Sequence, residues 1–195
     1  MTIDNFNKLS TFIKFDSPDI FYFIQILKRK KDNPEISHHK SHRTRAIRTY
    51  VITSIEDFDG LREEITAICR ATNSRAYMHV TGRSFEKITG LCLGGITKII
   101  QQKNYGNISK LFNTSCGLSE SRVKPHYWVV DIDSKIQEDM PEVWQEIRSL
   151  GGDVVSKVET VNGYHLITTP FNRLKFNNVI DVHPNNPTLL YYSNE

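Results

Sequence analysis

The stretch His126-Tyr-Trp-Val-Val-Asp-Ile-Asp133 decides how the rest of this chain is read. It is a run of aromatic and β-branched residues closing on two acids, the composition of a strand rather than a helix. Side chains alternate along a strand, so Asp131 and Asp133 leave the same face with Cα atoms ~6.5 Å apart. Two carboxylates beside an apolar run are costly unless a cation or hydrogen-bond donors satisfy them. Hard oxygen ligands at that spacing suit Mg²⁺ or Mn²⁺, which in turn bridge substrate phosphates. The alternative is that Asp131 ends the strand and Asp133 begins a turn or caps a helix.

Downstream, Asp139, Pro141 and Glu142 announce a helix that Gly151-Gly152 stops. Two strands, residues 154–161 and 164–168, then flank Asn162-Gly163, a dipeptide that favours a type I′ hairpin turn. In that register Thr160 lies across from His165, and the turn fixes an imidazole able to donate to a phosphate or carry a proton. A strand histidine that only hydrogen-bonds at a sheet surface is the plainer alternative. Residues 179–183 form a further strand with Asp181 and His183 on one face, and Thr188 to Tyr192 another. Arg173 and Lys175, just upstream, face either a triphosphate or water.

Upstream, Ser17 and Pro18 are expected to open a helix whose apolar face is Ile20, Phe21, Phe23, Ile24 and Leu27. It runs into Lys28–Lys31 and ends at Asp32-Asn33-Pro34, followed by a polar loop. Residues 47–53 and 75–80 read as strands, the second with Arg75, Tyr77 and His79 on one face. That face lines a nucleotide or template channel, or is a solvent-facing polar row. Between the two strands lies a helix carrying Phe58, Leu61, Ile65 and Ile68. A longer helix spans about residues 84–103, with Phe85, Ile88, Cys92, Ile96 and Ile99 as its buried stripe and with Gly90, Gly94 and Gly95 permitting close packing. A short helix around Leu111 follows.

The 195 residues suit one domain with an N-terminal element: a helix and basic arm over 1–45, then an α+β unit over 46–195. No stretch approaches the ~20 apolar residues of a membrane span, and the first residues lack the order of a secretory signal. A cytoplasmic protein is expected. Cys69, Cys92 and Cys116 form no CxxC pair, so neither a disulfide framework nor a zinc knuckle is indicated. The net charge of +3 is uneven. Residues 28–48 carry eight Lys/Arg against two acids, +6, which leaves −3 for the rest. Lys28, Arg29, Lys30, Lys31, Arg43, Arg45 and Arg48 are therefore candidate nucleic-acid contacts, with His38, His39 and His42 as added donors. A solvated linker explains the same run equally well.

The order of acid pair, helix, hairpin histidine and late aspartate resembles the archaeo-eukaryotic primase superfamily, especially the prim-pol domains of phages and plasmids. In that family a hydrophobic strand ends in DxD or DxE, a Thr/Ser-rich hairpin carries the histidine, and a later strand supplies a further acid. The likeness covers about residues 126–185. It implies that Asp131, Asp133 and Asp181 ligate Mg²⁺ or Mn²⁺, and that His165, with Thr160, Arg173 and Lys175 nearby, holds the nucleotide. It implies as partners nucleoside triphosphates and a DNA or RNA template; with no helicase segment in this chain, the domain acts alone, serves a separate helicase, or is a repurposed remnant. The function that follows is metal-dependent nucleotidyl transfer; the rival is a non-catalytic nucleic-acid-binding or regulatory domain. A dehalogenase-type phosphatase fits poorly, because too little chain follows Asp131 for that fold's later motifs. A two-histidine phosphoesterase is not met either, since His79-Val-Thr81 fits H-x-T but His165 to Thr168 is one residue too long. The expected architecture is α+β: a mainly antiparallel sheet, RRM-like in its core, with helices packed on one face.

Overall fold

The computed structural model describes residues 1–34, 44–133, 140–176, 180–185 and 187–194. The chain folds as α+β, and every strand pairing is antiparallel. The larger sheet runs β1 (Thr2–Asp4), β10 (Thr188–Ser193), β4 (Arg75–Met78), β2 (Ile20–Arg29), β3 (Thr44–Ile52), with β5 (Arg83–Ser84) beside the start of β2. The smaller sheet runs β7 (Val154–Glu159), β8 (Gly163–Thr168), β6 (Trp128–Asp133), β9 (Asp181–His183). No helix among the described residues is long and apolar enough to cross a membrane.

The helix expected after Ser17 is instead strand β2, paired with β3 on one side and β4 on the other. Its apolar run is continuous because both faces are covered, as in any fully enclosed strand. Tyr22, Ile24 and Ile26 enter the main core with Ile65, Met78 and Leu190. Phe21 and Phe23 point the other way, against Ile88 and Cys116. Ile-Phe-Tyr-Phe-Ile is rich in strand-forming types, and in this chain that propensity outweighs the helical spacing. The division expected at residue 45 falls within β3, hydrogen-bonded to β2.

Six α-helices accompany these sheets among the described residues, beginning with the short α1 (Phe6–Ser10). The helix expected to carry Phe58 and Ile65 is split at Leu61 into α2 (Ile55–Gly60) and α3 (Arg62–Thr72), with Ser54 accepting from the Asp57 N–H as N-cap. Helix α3 packs on β2, β4 and β10. Helix α4 (Phe85–Gln102), capped by Ser84, and α5 (Leu111–Cys116) cover part of the opposite face. Of the stripe expected on α4, Ile88 and Ile99 are buried and Ile96 is exposed. Helix α6 (Met140–Ser149) lies under the smaller sheet, where Val143 and Ile147 meet Val130, Ile132 and Leu166. It is stopped at Gly151, whose φ of +90° suits glycine. Asp139 and the histidines at 38, 39 and 42 lie outside the described residues.

β4 ends at Met78, so His79 does not continue the face of Arg75 and Tyr77. It is buried, and its Nδ1 accepts from Arg83 Nη2 at 2.8 Å. A guanidinium only donates, so Nδ1 carries no proton and the ring is neutral. Burial, then the adjacent Arg83, pushes His79 down to about 3. The remaining bonds of Arg83 go to the carbonyls of Thr81 and Cys116 and to Asn185 Oδ1. Burial, then Arg122, pushes this arginine down to about 10.

An unfolded histidine titrates near ~6.5. Between about pH 3 and 6.5 the unfolded chain therefore binds a proton that folded His79 refuses. The stabilisation is complete above pH 6.5 and erodes as pH falls, by on the order of 1 kcal/mol per pH unit. Urea melts from pH 4 to 7 should show this slope in the wild type. His79→Gln, which keeps an acceptor for Arg83, should flatten it by about one proton. Parallel profiles would place the acid sensitivity elsewhere.

Candidate active site

Strand β6 positions the site through its two faces. Val130 and Ile132 are fully buried on the α6 side, which commits Val129, Asp131 and Asp133 to the other. In the ladder Asp131 stands opposite His165 on β8 and Asp181 on β9, and Asp133 stands opposite Gly163. Directly opposed residues share a face and sit ~5 Å apart, so histidine, acid and acid form a row across three strands.

Asp131 and His165 of this row face the larger sheet across a cavity of about 380 Å³, whose wall does not include Asp181. Asp131, Asp133, Thr160, His165 and His183 line one wall, and Arg29, Lys31, Thr44, Arg75 and Tyr77 line the other. The acids, the hairpin histidine and part of the basic run therefore meet in one place. His165 Nδ1 lies 2.8 Å from Thr188 Oγ1, and its Nε2 lies 3.5 Å from Asp131 Oδ1, an ion-pair separation rather than a short hydrogen bond. The imidazole nonetheless is the largest influence holding the Asp131 carboxyl below its ordinary range; burial pushes the other way, and His183 and Arg29 add to the lowering.

The opposite wall is cationic. Arg29 donates to the Tyr77 hydroxyl at 3.1 Å and has no ion-pair partner among the described residues. Arg75 is neutralised by a buried two-point bond to Asp32 at 2.7 and 2.5 Å, so the net positive charge comes from Arg29 and Lys31. Arg48 is engaged elsewhere, 2.6 Å from Glu64 and over the Tyr50 ring. Lys28 and Arg45 are register partners one step from the Arg29–Thr44 pair, and Lys30 follows in the turn. None of these three lines the cavity. Arg43 lies outside the described residues.

Several expected placements are corrected. Arg173 and Lys175 lie on an exposed single turn away from the cavity. Flanking Phe171 and Phe176 pack with Val130 and Ile132, which draws that segment to the opposite face of the small sheet. Asp181 is the ladder neighbour of Asp131, but His183 is the β9 residue in the cavity wall. The hairpin is present with its register moved by two residues: Val158, not Thr160, faces His165, and Thr160 N–H bonds to Gly163 C=O. Neither Asn162 nor Gly163 has positive φ, so no type I′ turn forms. Val161 packs with Ile3, Leu189 and Tyr192, and Asn5 holds the Glu159 backbone; tertiary packing overrides the turn preference. Arg29 and Lys31, expected as nucleic-acid contacts on an arm, stand instead in the cavity wall, where strand alternation places Leu27 and Arg29 together. Thr188, which holds His165, is the residue the sequence reading missed.

Among the described residues no three histidine, cysteine or acidic groups converge to hold an ion unaided. The pair Asp131 and Asp133 still fits Mg²⁺ or Mn²⁺, since Mg²⁺ is commonly held by one or two carboxylates plus substrate phosphates. A second basic cluster, Lys87, Arg122, Lys124 and His126, lies beyond the other end of β6. Lys87 Nζ donates to Arg122 C=O at 2.7 Å, and Arg122 Nη1 to Pro184 C=O at 2.6 Å. Burial, then Arg122, Lys124 and Lys87, lowers the proton affinity of His126. Comparison with family models, with curated proteins and with solved structures finds no match to this chain.

Because the Asp131 pKa is depressed on folding, its pairing stabilises the fold above the unfolded value of ~3.9 and is lost as pH falls through the folded one. Carboxyl NMR should show Asp131 titrating below ~3.9 in the wild type. In His165→Ala the midpoint should rise, because burial remains and its main opponent is gone. An unmoved midpoint would mean that the imidazole does not govern this acid.

Proposed function

We propose that this protein is a metal-dependent nucleotidyltransferase acting on nucleoside triphosphates and a nucleic-acid strand, in the manner of the primase-polymerase family its motifs resemble. The observation that carries the proposal is the facing of the acid pair Asp131 and Asp133 by Arg29 and Lys31 across one cavity, with His165 beside the acids. Carboxylates that can hold a cation opposite cations that can hold phosphates are the two halves of a triphosphate site. Phosphoryl transfer asks a protein chiefly for positioning and electrostatic stabilisation.

On this reading Asp131 and Asp133 hold Mg²⁺ or Mn²⁺, which when bound neutralises phosphate charge and favours the attacking 3′-hydroxylate. Arg29 and Lys31 clamp the triphosphate, and Tyr77 is held in the wall by its bond from Arg29. Thr188 fixes the His165 ring, leaving Nε2 to exchange Asp131 for a phosphate oxygen. The second basic cluster takes the phosphates of the strand. His126 lies about 16 Å along β6 from Asp131 at the usual rise, within reach of one short single strand.

Asp131→Asn and Asp133→Asn should each lower Mn²⁺-dependent nucleotide incorporation at least about a hundredfold, since even outer partners of metal ligands cost 10–100-fold. Both should retain oligonucleotide binding and lose the thermal stabilisation that Mn²⁺ with a nucleoside triphosphate gives the wild type. No incorporation and no stabilisation by the wild type would instead favour a non-catalytic binding module. Separately, Lys87→Ala with Lys124→Ala should weaken single-stranded oligonucleotide binding. The slope of log affinity against log salt should fall by about 1.4, or ~0.7 per phosphate lost. An unchanged slope would remove this cluster from the strand's path.

A further inference from the structure

Helix α4 carries an apolar face that no other element of the described chain covers. Its inner side is accounted for by Ile88 and Ile99. On the outer side Leu93 is 62% exposed, Ile96 40% and Ile100 57%. Thr89, Gly90 and Gly94 are exposed with them. At ~100° per residue these six positions fall within an arc of about 160°, in which Glu86 of the first turn is the one charged residue. An exposed apolar stripe of this kind on a surface helix marks an interaction site rather than a solvated face.

The glycines narrow the occupant. Gly95 has an internal reason to be glycine, because a Cβ there would stand 2.4 Å from Leu111 Cδ1. Gly90 and Gly94 have none: a Cβ at either meets nothing within 4 Å. Each is less favourable than alanine in a helix interior. Small residues on an exposed apolar stripe let another helix approach closely. The ends of α4 indicate which helix. Glu86 lies in the first turn and Lys103 caps the last. Two copies laid antiparallel about a point between Gly94 and Gly95 bring Glu86 opposite Lys103 at both ends. The same register sets Leu93 opposite Ile96, and Thr89 opposite Ile100. The helix dipoles then oppose, and the interface closes on itself by two-fold symmetry.

We propose that α4 is a homodimerisation helix, packed antiparallel on α4 of a second copy of this chain. No residue of α4 lines the cavity, so the dimer leaves the cavity open; of the second basic cluster, α4 carries Lys87.

Sedimentation equilibrium of the full chain, from low micromolar to several hundred micromolar, should show a reversible dimer. Leu93→Asp should raise the dissociation constant at least tenfold. Gly94→Leu should do the same with the melting temperature unchanged or higher, since the monomer has room for that side chain. Glu86→Lys and Lys103→Glu should each weaken the dimer, and the double exchange should restore it. Circular dichroism confirms that each variant is folded. A wild type that stays monomeric throughout overturns the proposal, and so does a dimer indifferent to Leu93→Asp and Gly94→Leu. A dimer weakened by those two but with no rescue in the charge exchange overturns the antiparallel register.

Discussion

Everything at the candidate site depends on how the two sheets meet. Val129, Val158 and Ile167 on the small sheet are fully buried in the same apolar cluster as Ile24, Met78 and Leu190 of the large one. That seam closes the sheets at one end of β6. One pleat further, the same face presents Asp131 in place of Val129 and His165 in place of Ile167, and the sheets part around the cavity. Carboxylates cannot join a dry seam without large desolvation cost, so the change from valine to aspartate along one face of β6 sets where packing stops and the site begins.

What could be read from the sequence follows from this alternation. β6 was legible because one face is wholly apolar and the other turns polar within six residues. α4 and α6 were legible through their caps and stops, Ser84 and Gly151. β2 was not, because it is enclosed on both faces and so loses the period that separates strand from helix. That one misreading carried Arg29 and Lys31 onto a supposed arm and left half of the cavity wall unseen. Arg173 and Lys175 were misplaced for a related reason. Their charge drew attention, while the phenylalanines on either side decide which face of the sheet the segment occupies. The hairpin register could not be read locally at all, since the partners of Val161 come from the two ends of the chain.

The cations fall into two kinds that sequence alone does not separate. Arg75 with Asp32, and Arg48 with Glu64, are neutralised within the fold. Among the described residues Arg83 is buried without an acid and is held by carbonyls, an amide and a neutral imidazole. Hydrogen bonds of this kind satisfy its donors and leave its charge uncompensated. Its field, with those of Arg122, Lys124 and Lys87, reaches His126. A positive potential is thus built into the far end of β6 from inside the protein, opposite in sign to the acids at the near end.

His165 stands between two demands. Nδ1 is committed to Thr188 and Nε2 to Asp131, so in the folded chain the ring has no nitrogen to spare. Under the proposed function, a phosphate that takes Nε2 removes the partner that most lowers the proton affinity of Asp131. A divalent cation held by Asp131 and Asp133 would supply a stronger replacement and free the imidazole. Each ligand would then lower the cost of binding the other, the carboxylate exchanging imidazole for cation and the imidazole exchanging carboxylate for phosphate. Linkage would make this reciprocal, so that cation and triphosphate would bind more tightly together than either alone. The long 3.5 Å contact between His165 and Asp131 suits such an exchange, because a weak pair is cheaper to part than a short charged hydrogen bond.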